Sequence, residues 1–113
     1  MSIPKRGEIW AVNLDPTAGH EQPKTRPCLV LSETAFNQIG MVVVASITSG
    51  SSGPYAGFST KIEPEMGMKT YGTVLSHQTR SLDYKARGAS FIEKADPSLL
   101  AEVLAKYQVI LGI

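Results

Sequence analysis

Three side chains that suit chemistry on a phosphodiester lie close together near the start of the chain. His20 and Glu21 lie on a polar stretch between Gly19 and Pro23, and Arg26 opens the apolar segment that follows. Cleavage of a phosphodiester needs a cation that neutralises the phosphate and groups that move protons at the attacking and leaving oxygens. These three residues could therefore serve phosphodiester cleavage.

Each of these residues also has a simpler interpretation. Arg26 is either a surface arginine paired with Glu21 or a bidentate phosphate clamp. Pro27 favours the clamp, because it restricts the preceding residue to an extended backbone. A His-Glu pair on a loop is usually solvated, yet histidine is the side chain whose ordinary pKa lies nearest neutrality, so His20 is a candidate for proton transfer.

A second polar pair ends the longest apolar segment. Thr48 and Ser49 follow the run from Met41 to Ile47. A hydroxyl at the end of a strand is usually a turn former. The alternative is that these hydroxyls hydrogen-bond a phosphate oxygen.

A third polar cluster, residues 77–83, follows a predicted strand and is predicted as a loop. Gln78 has the groups to bind base edges and Arg80 to bind phosphates, while Lys85 and Arg87 extend the basic character. The loop is either simply solvated or an RNA-binding surface.

Composition limits the classes of protein that need to be considered. The 113 residues, 42% hydrophobic and 19% charged, are expected to form one domain spanning 1–113. A net charge of +1 makes no case for nucleic acid, so any such site must come from local clustering. We expect no secretory signal and no membrane span.

The single cysteine, Cys28, excludes an internal disulfide and is expected in a reducing, cytoplasmic compartment. It lies in an apolar strand pattern, which indicates a small buried hydrophobe and not a reactive thiol. Two distant histidines and one cysteine make no metal-ligand spacing, so we expect no metal and no other cofactor.

Hydrophobic patterning predicts many short strands and one terminal helix. Asp96 is a plausible N-cap for a helix that begins at Pro97 and ends at Gly112. Its apolar face comprises Leu100, Val103, Leu104, Tyr107 and Leu111. The predicted strands are Glu8–Leu14, Cys28–Leu31, Met41–Ile47, Phe58–Ile62, Gly72–His77 and Ala89–Ile92. This order indicates a mainly β fold, a small curled antiparallel barrel with its chemistry on loops and strand ends.

The order of the motifs resembles the MazF/PemK family of RNA-cleaving toxins along nearly the whole chain. The opening is similar to that of PemK/Kid-type toxins, and the middle resembles the ChpB branch. The segments that carry the resemblance are 6–10, 14–22, 25–27, 35–41, 55–59, 78–83 and 85–89, with the terminal helix.

The resemblance implies an SH3-like barrel of the MazF/CcdB type, a homodimer, and metal-independent endoribonuclease action on single-stranded mRNA without the ribosome. The substrate's own 2′-hydroxyl would attack, leaving a 2′,3′-cyclic phosphate and a 5′-hydroxyl. It also implies a cognate antitoxin with an acidic, disordered segment, whose ordering on binding costs several kcal/mol.

The family's site residues transfer position by position. Arg26 matches the arginine of the Arg-Pro motif and would stabilise the phosphorane, while Thr48 matches the strand-end threonine and would position the phosphate. Glu21 and His20 match the acidic and histidine positions of the loop. The RNA-binding positions are Gln22, Ser49, Gln78, Arg80 and Arg87.

One departure affects the expected chemistry. The PemK branch has an arginine and, two residues later, an aspartate where this chain has Leu75 and His77. Either His77 replaces the carboxylate in proton transfer, or Glu21, His20 and Arg26 carry the chemistry and His77 only contacts RNA. The intact Arg26 and Thr48 positions favour the second account.

Two other functions fit the same resemblance. A CcdB-like gyrase poison has the same fold and a similar Gly112-Ile113 ending, but Leu111 stands where those proteins have a tryptophan. An RNA-binding module that has lost catalysis through the change at His77 is the other alternative.

Overall fold

Most strands of the fold, and its long terminal helix, form on segments that the sequence predicts. The computed structural model describes residues 2–50 and 52–113. Two short 3₁₀ segments, Gly53–Phe58 and Pro64–Met66, connect neighbouring strands. The elements are β1 Glu8–Asn13, β2 Thr25–Val30, α1 Thr34–Asn37, β3 Met41–Thr48, β4 Ser59–Lys61, β5 Thr73–Asp83, β6 Ser90–Lys94 and α2 Pro97–Leu111.

All six strands belong to one antiparallel sheet in the order β4-β5-β3-β2-β1-β6. The predicted class, mainly β with a C-terminal helix, is confirmed. The sheet has two edges, β4 and β6, so it is not closed, and the predicted barrel describes the shape only loosely.

Alternation along the strands divides the core between the two faces of the sheet. Trp10, Val12 and Leu14 share one apolar cluster with Cys28, as the period of two predicts. Ile9, on the opposite face, belongs to a second cluster that contains residues of α2.

The terminal helix begins and ends where its capping residues predict. Asp96 accepts a hydrogen bond from the Ser98 amide at 2.9 Å, Pro97 occupies the first helical position, and Gly112 adopts a left-handed φ of 74°. Val103 is buried against the sheet as expected. Leu111 is 53% exposed, so the predicted apolar face is covered only over its first part.

β5 is longer than predicted, because residues 78–83 continue the strand. The prediction of a loop there is wrong. Thr79 to Asp83 pair with β3, and Leu82 is buried opposite Val42. The register of this pair shifts between Ala45 and Ile47, which leaves a bulge in β5 over residues 75–78.

Cys28 is buried in the sheet, as predicted. Burial raises the pKa of its thiol to about 12, although Arg80 and Arg26 act in the opposite direction. The thiol is therefore protonated and unreactive in the folded chain. No helix among residues 2–50 and 52–113 is long and apolar enough to cross a membrane.

Asn37 is a fully buried polar residue that joins three parts of the chain. Its Nδ2 donates to Pro4 O at 2.7 Å and to Ser32 O at 3.0 Å, and its Oδ1 accepts from Ser32 Oγ. Its backbone oxygen accepts from the Tyr84 hydroxyl at 2.9 Å. The buried amide thus fixes the N-terminal segment and the start of β3.

Replacement Asn37→Ala is expected to destabilise the fold by about 3 kcal/mol, because two carbonyls lose this donor and the Ser32 hydroxyl loses its acceptor. Urea unfolding would measure the loss as a lower midpoint at unchanged slope. The matched control, Gln38→Ala, alters an exposed neighbour and should leave the midpoint unchanged. Equal midpoints for the two variants would contradict the role of the buried amide.

Candidate functional site

The loop between β1 and β2, which carries His20 and Glu21, is held by side chains of distant residues. Gln78 Oε1 accepts from the Gln22 amide at 3.2 Å, and Gln78 Nε2 donates to His20 O at 2.7 Å. Arg80 donates to Leu14 O. The loop is thus tied to β5, and Gln78 and Arg80 already use hydrogen-bonding groups within the protein.

Arg87 supports the same loop from the turn after β5. Its Nη1 donates to Asp15 O at 2.7 Å and to Asn13 O at 3.3 Å. Three residues predicted to bind RNA, Gln78, Arg80 and Arg87, therefore make structural contacts to the loop backbone. The sequence shows that these residues are polar or basic, but it does not show their partners, which lie 56 to 74 residues away.

Arg26 and Glu21 have different partners, so the predicted ion pair between them is wrong. Arg26 Nε donates to Pro23 O at 3.1 Å, and Glu21 Oε1 accepts from the Ala18 amide at 2.9 Å. The first contact holds the Arg26 side chain against the loop. The second closes a turn within the loop. Neither charge is neutralised by the other.

Arg26 lines a pocket of about 320 Å³ that also contains Ser49. Three residues that the sequence did not single out, Lys69, Thr70 and Tyr71, line the same pocket. Lys69 places a second cation there. Such a site suits a ligand with phosphate groups.

Thr48 lies at the end of β3, as predicted, and is 7% exposed. Its Oγ1 accepts from the Gly50 amide at 3.1 Å, so the hydroxyl forms a turn. Cys28 pairs with Ser46 across β2 and β3, so Arg26 near the start of β2 and Thr48 at the end of β3 lie at the same edge of the sheet. The turn at Thr48 thereby positions Ser49 beside the Arg26 pocket.

His77 lies in the bulge of β5 and stacks on Tyr55, with ring centroids 4.2 Å apart and planes at 16°. Burial lowers the pKa of His77 below its ordinary value. Among the described residues no group hydrogen-bonds its buried Nδ1. The imidazole is therefore neutral at neutral pH, and its stacked ring is fixed mainly by packing.

His77 shares two adjoining pockets with the loop residues. His20 and Gln78 line both, Gln22 lines one and Glu21 lines the other. The predicted catalytic residues thus fall into two groups: Arg26 and Thr48 at the ends of β2 and β3, and His20, Glu21 and His77 around the loop. Within the described chain, no group of three or more His, Cys, Asp or Glu side chains is arranged to hold a metal ion.

The segment 69–71 was missed because nothing in its sequence marks it as functional. Glu93 on β6 accepts hydrogen bonds from the Lys69 and Thr70 amides at 2.9 and 2.6 Å, and from Thr70 Oγ1 at 2.6 Å. Partial burial opposes the charged form of Glu93, but these bonds outweigh it and hold its pKa below the ordinary value. Only the folded structure brings this segment to Arg26.

The structure is thus that of a small, mainly β protein with one antiparallel sheet, a terminal helix, a pocket lined by Arg26 and Lys69, and pockets lined by His77. The chain belongs to the PemK-like, MazF-like toxins of type II toxin–antitoxin systems, since the family model matches residues 5–111.

Individual relatives agree with this assignment. The chain is 43% identical to the endoribonuclease PemK of Escherichia coli, covering 95% of this chain and 81% of that protein. It is 44% identical to the endoribonuclease toxin ChpB of Escherichia coli strain K12, covering 94% and 92%. The resemblance seen in the sequence is therefore confirmed.

Solved structures show the same fold. MazF from Deinococcus radiodurans superposes with a TM-score of 0.89 at 35% identity, covering 100% of both chains. A chain of a MazE–MazF structure from the same organism gives 0.83 at 35% identity, covering 100% of this chain and 99% of that one. The MazF type of β fold predicted from the motifs is confirmed.

Replacement Gln78→Leu should loosen the loop between β1 and β2, because it removes both hydrogen bonds to the loop backbone. We expect the Gln22 amide to exchange with deuterium about tenfold faster, the effect of losing about 1.4 kcal/mol of local stability. Gln38→Leu, at an exposed site away from the loop, is the control. Unchanged exchange at Gln22 would show that Gln78 does not hold the loop.

Proposed function

We propose that this chain is the toxin of a type II toxin–antitoxin pair and a sequence-specific endoribonuclease that cleaves single-stranded mRNA without a metal ion or the ribosome. The Arg26 pocket is the observation that carries this proposal. Its lining includes two residues with cationic side chains, Arg26 and Lys69, and the hydroxyl residue Ser49. Its membership of a toxin family whose relatives are named endoribonucleases supports the reaction.

Arg26 has the role of stabilising the phosphorane formed when the 2′-hydroxyl attacks the phosphorus. A guanidinium stays protonated at neutral pH and forms two parallel bonds to phosphate oxygens, so it stabilises charge better than it donates protons. Its bond to Pro23 O orients the side chain before substrate binds. Preorganised charge of this kind costs no rearrangement during the reaction.

Thr48 and Ser49 have the role of positioning the phosphate. The Thr48 oxygen accepts from Gly50, which leaves its own hydrogen available for a phosphate oxygen. Ser49 is exposed and lines the pocket directly. The turn therefore presents the polar groups that follow β3 to the scissile group.

His20 and Glu21 have the role of proton transfer, and Gln22 the role of binding RNA beside them. Both side chains are exposed on a loop that Gln78 holds in place. The 2′-hydroxyl must lose a proton and the 5′-oxygen must gain one, and an imidazole or carboxylate on the substrate side of the loop serves each step. Gln78, Arg80 and Arg87 act by holding this loop as well as by facing the RNA.

The contacts of His77 favour the account in which it only contacts RNA. A histidine that acts as a base is usually oriented by a hydrogen bond to its second nitrogen. The His77 ring is instead oriented by its stack on Tyr55, and nothing in the described chain hydrogen-bonds its Nδ1. Stacked aromatic rings are a common platform for bases of single-stranded RNA.

The partners of the chain follow from its family. A cognate antitoxin is supported by the MazE–MazF structure, and an acidic disordered segment would complement Arg26 and Lys69. A homodimer is supported by exposed apolar residues near the end of α2, Val109, Leu111 and Ile113. Light scattering at micromolar concentration tests the dimer. A cytoplasmic location, where mRNA is found, is part of the same proposal.

Cleavage of a long mixed-sequence RNA in excess EDTA, with mapped product ends, tests the proposed function. Wild-type protein should produce defined cuts with 2′,3′-cyclic phosphate ends. Arg26→Ala should lower the rate by about 10²- to 10³-fold, because a preorganised charge at the phosphorane is lost. Arg26→Lys should restore only part of the rate, since it keeps the charge but not the bidentate geometry. Intact RNA with folded wild-type protein would contradict the proposal and favour gyrase binding.

Two replacements of His77 separate its possible roles. If the ring only stacks on RNA, His77→Phe should keep kcat near the wild-type value at every pH, while His77→Ala should raise KM. If His77 is the base, both variants should lose kcat, and wild-type activity should fall as the pH drops through its lowered pKa. We expect the first pattern, measured as kcat and KM between about pH 5 and 8.

A further inference from the structure

The connection between the second 3₁₀ segment and β5 carries exposed side chains at the Arg26 pocket. Lys69 and Tyr71 lie outside any helix or strand, and Tyr71 is 79% exposed. Both residues line the pocket together with Arg26 and Ser49. The Tyr71 ring is therefore accessible to a ligand that occupies the pocket.

Contacts on both sides fix this connection. The Glu93 carboxylate binds two consecutive backbone amides and the Thr70 hydroxyl, which directs the backbone of residues 69 and 70 toward β6. At the other end, the Ile62 amide donates to Gly72 O at 2.9 Å. These contacts use the Lys69 backbone and the Thr70 backbone and hydroxyl, and residues 69–71 line the pocket.

Gly72 permits the close approach to Thr48. Its φ is +122°, a conformation that L side chains rarely adopt, and a Cβ atom there would lie 2.4 Å from Thr48 O. The absence of a side chain at Gly72 therefore brings the connection directly against the end of β3. The positions of Thr48 and of residues 69–71 are structurally linked.

The charge of Lys69 is only partly offset within the protein. Glu93 attracts it electrostatically, but the Glu93 oxygens already accept from Thr70 and from two backbone amides. Lys69 is an exposed residue and lines the pocket. An anion that enters the pocket therefore meets two cations, Arg26 and Lys69.

We propose that Lys69 and Tyr71 form a second nucleotide subsite in the Arg26 pocket, where Lys69 pairs with a phosphate next to the scissile one and Tyr71 stacks on a base. Glu93 is the positioning residue of this subsite. A cation combined with an aromatic ring is the usual means of holding single-stranded nucleic acid. The subsite rests on the proposed function, because its ligand is the RNA strand that Arg26 engages.

Salt-dependent binding tests the phosphate contact. The probe is a 2′-O-methyl copy of an RNA segment that wild-type protein cleaves, because it lacks the attacking hydroxyl and stays intact. Lys69→Gln should reduce the slope of log affinity against log salt by about 0.7, the value for one phosphate contact in a single strand. Lys94→Gln, which removes an exposed cation on β6 outside this pocket, is the matched control and should leave the slope unchanged.

Replacements of Tyr71 test stacking, and a replacement of Glu93 tests positioning. Tyr71→Leu should weaken binding about tenfold, while Tyr71→Phe, which keeps the ring, should bind like wild type. Glu93→Gln places an amide against the Thr70 donors and should raise KM for RNA several-fold with kcat within about twofold. A purely structural role of Glu93 would lower stability without this split between KM and kcat.

The outcomes distinguish the subsite from the function on which it rests. Equal salt slopes for Lys69→Gln and Lys94→Gln, together with wild-type affinity of Tyr71→Leu, would overturn the subsite. RNA cleavage by the wild-type protein would still support the endoribonuclease proposal in that case. Failure of the wild-type protein to cleave or bind any RNA would overturn both.

Discussion

The backbone at the end of β1 and in the loop after it depends on hydrogen bonds from outside its own strand. Unpaired carbonyls next to a packed core are costly, so they need donors. Gln78, Arg80 and Arg87 supply these donors to the loop that presents His20. The position of the loop histidine is thus set by β5 and the turn after it, far away in sequence. Gln78 and Arg80 on β5 therefore have a structural role in holding this loop.

The arrangement of the strands also explains why the predicted site residues fall into two groups, one at Arg26 and one around His77. On either side of its bulge, β5 pairs with the two parts of β3, and it also pairs with β4. His77 lies in the bulge and lines pockets that it shares with the loop. Arg26 lies near the start of β2, and Thr48 is the last residue of β3. Under the proposed function, one strand of RNA would contact both the Arg26 pocket and the loop that carries His20.

Features governed by neighbouring residues could be predicted from the sequence, and features governed by distant partners could not. Asp96, Pro97 and Gly112 define the helix because capping is local, and alternation places Trp10 and Val12 on one face. Residues 78–83 were predicted as a loop because their partners lie across the fold. The position of residues 69–71 depends on hydrogen bonds to Glu93, which is more than twenty residues away. Motif order supplied the family, but not these contacts.

Because Cys28 is buried, the folded protein does not react with thiol reagents. It is the single cysteine of the chain, buried in the sheet between β1 and β3. A labelling reagent can react only after the sheet opens there, and every labelled molecule then records one opening event. The rate of labelling at Cys28 therefore measures how often the core of the native protein opens, without any substitution on its surface.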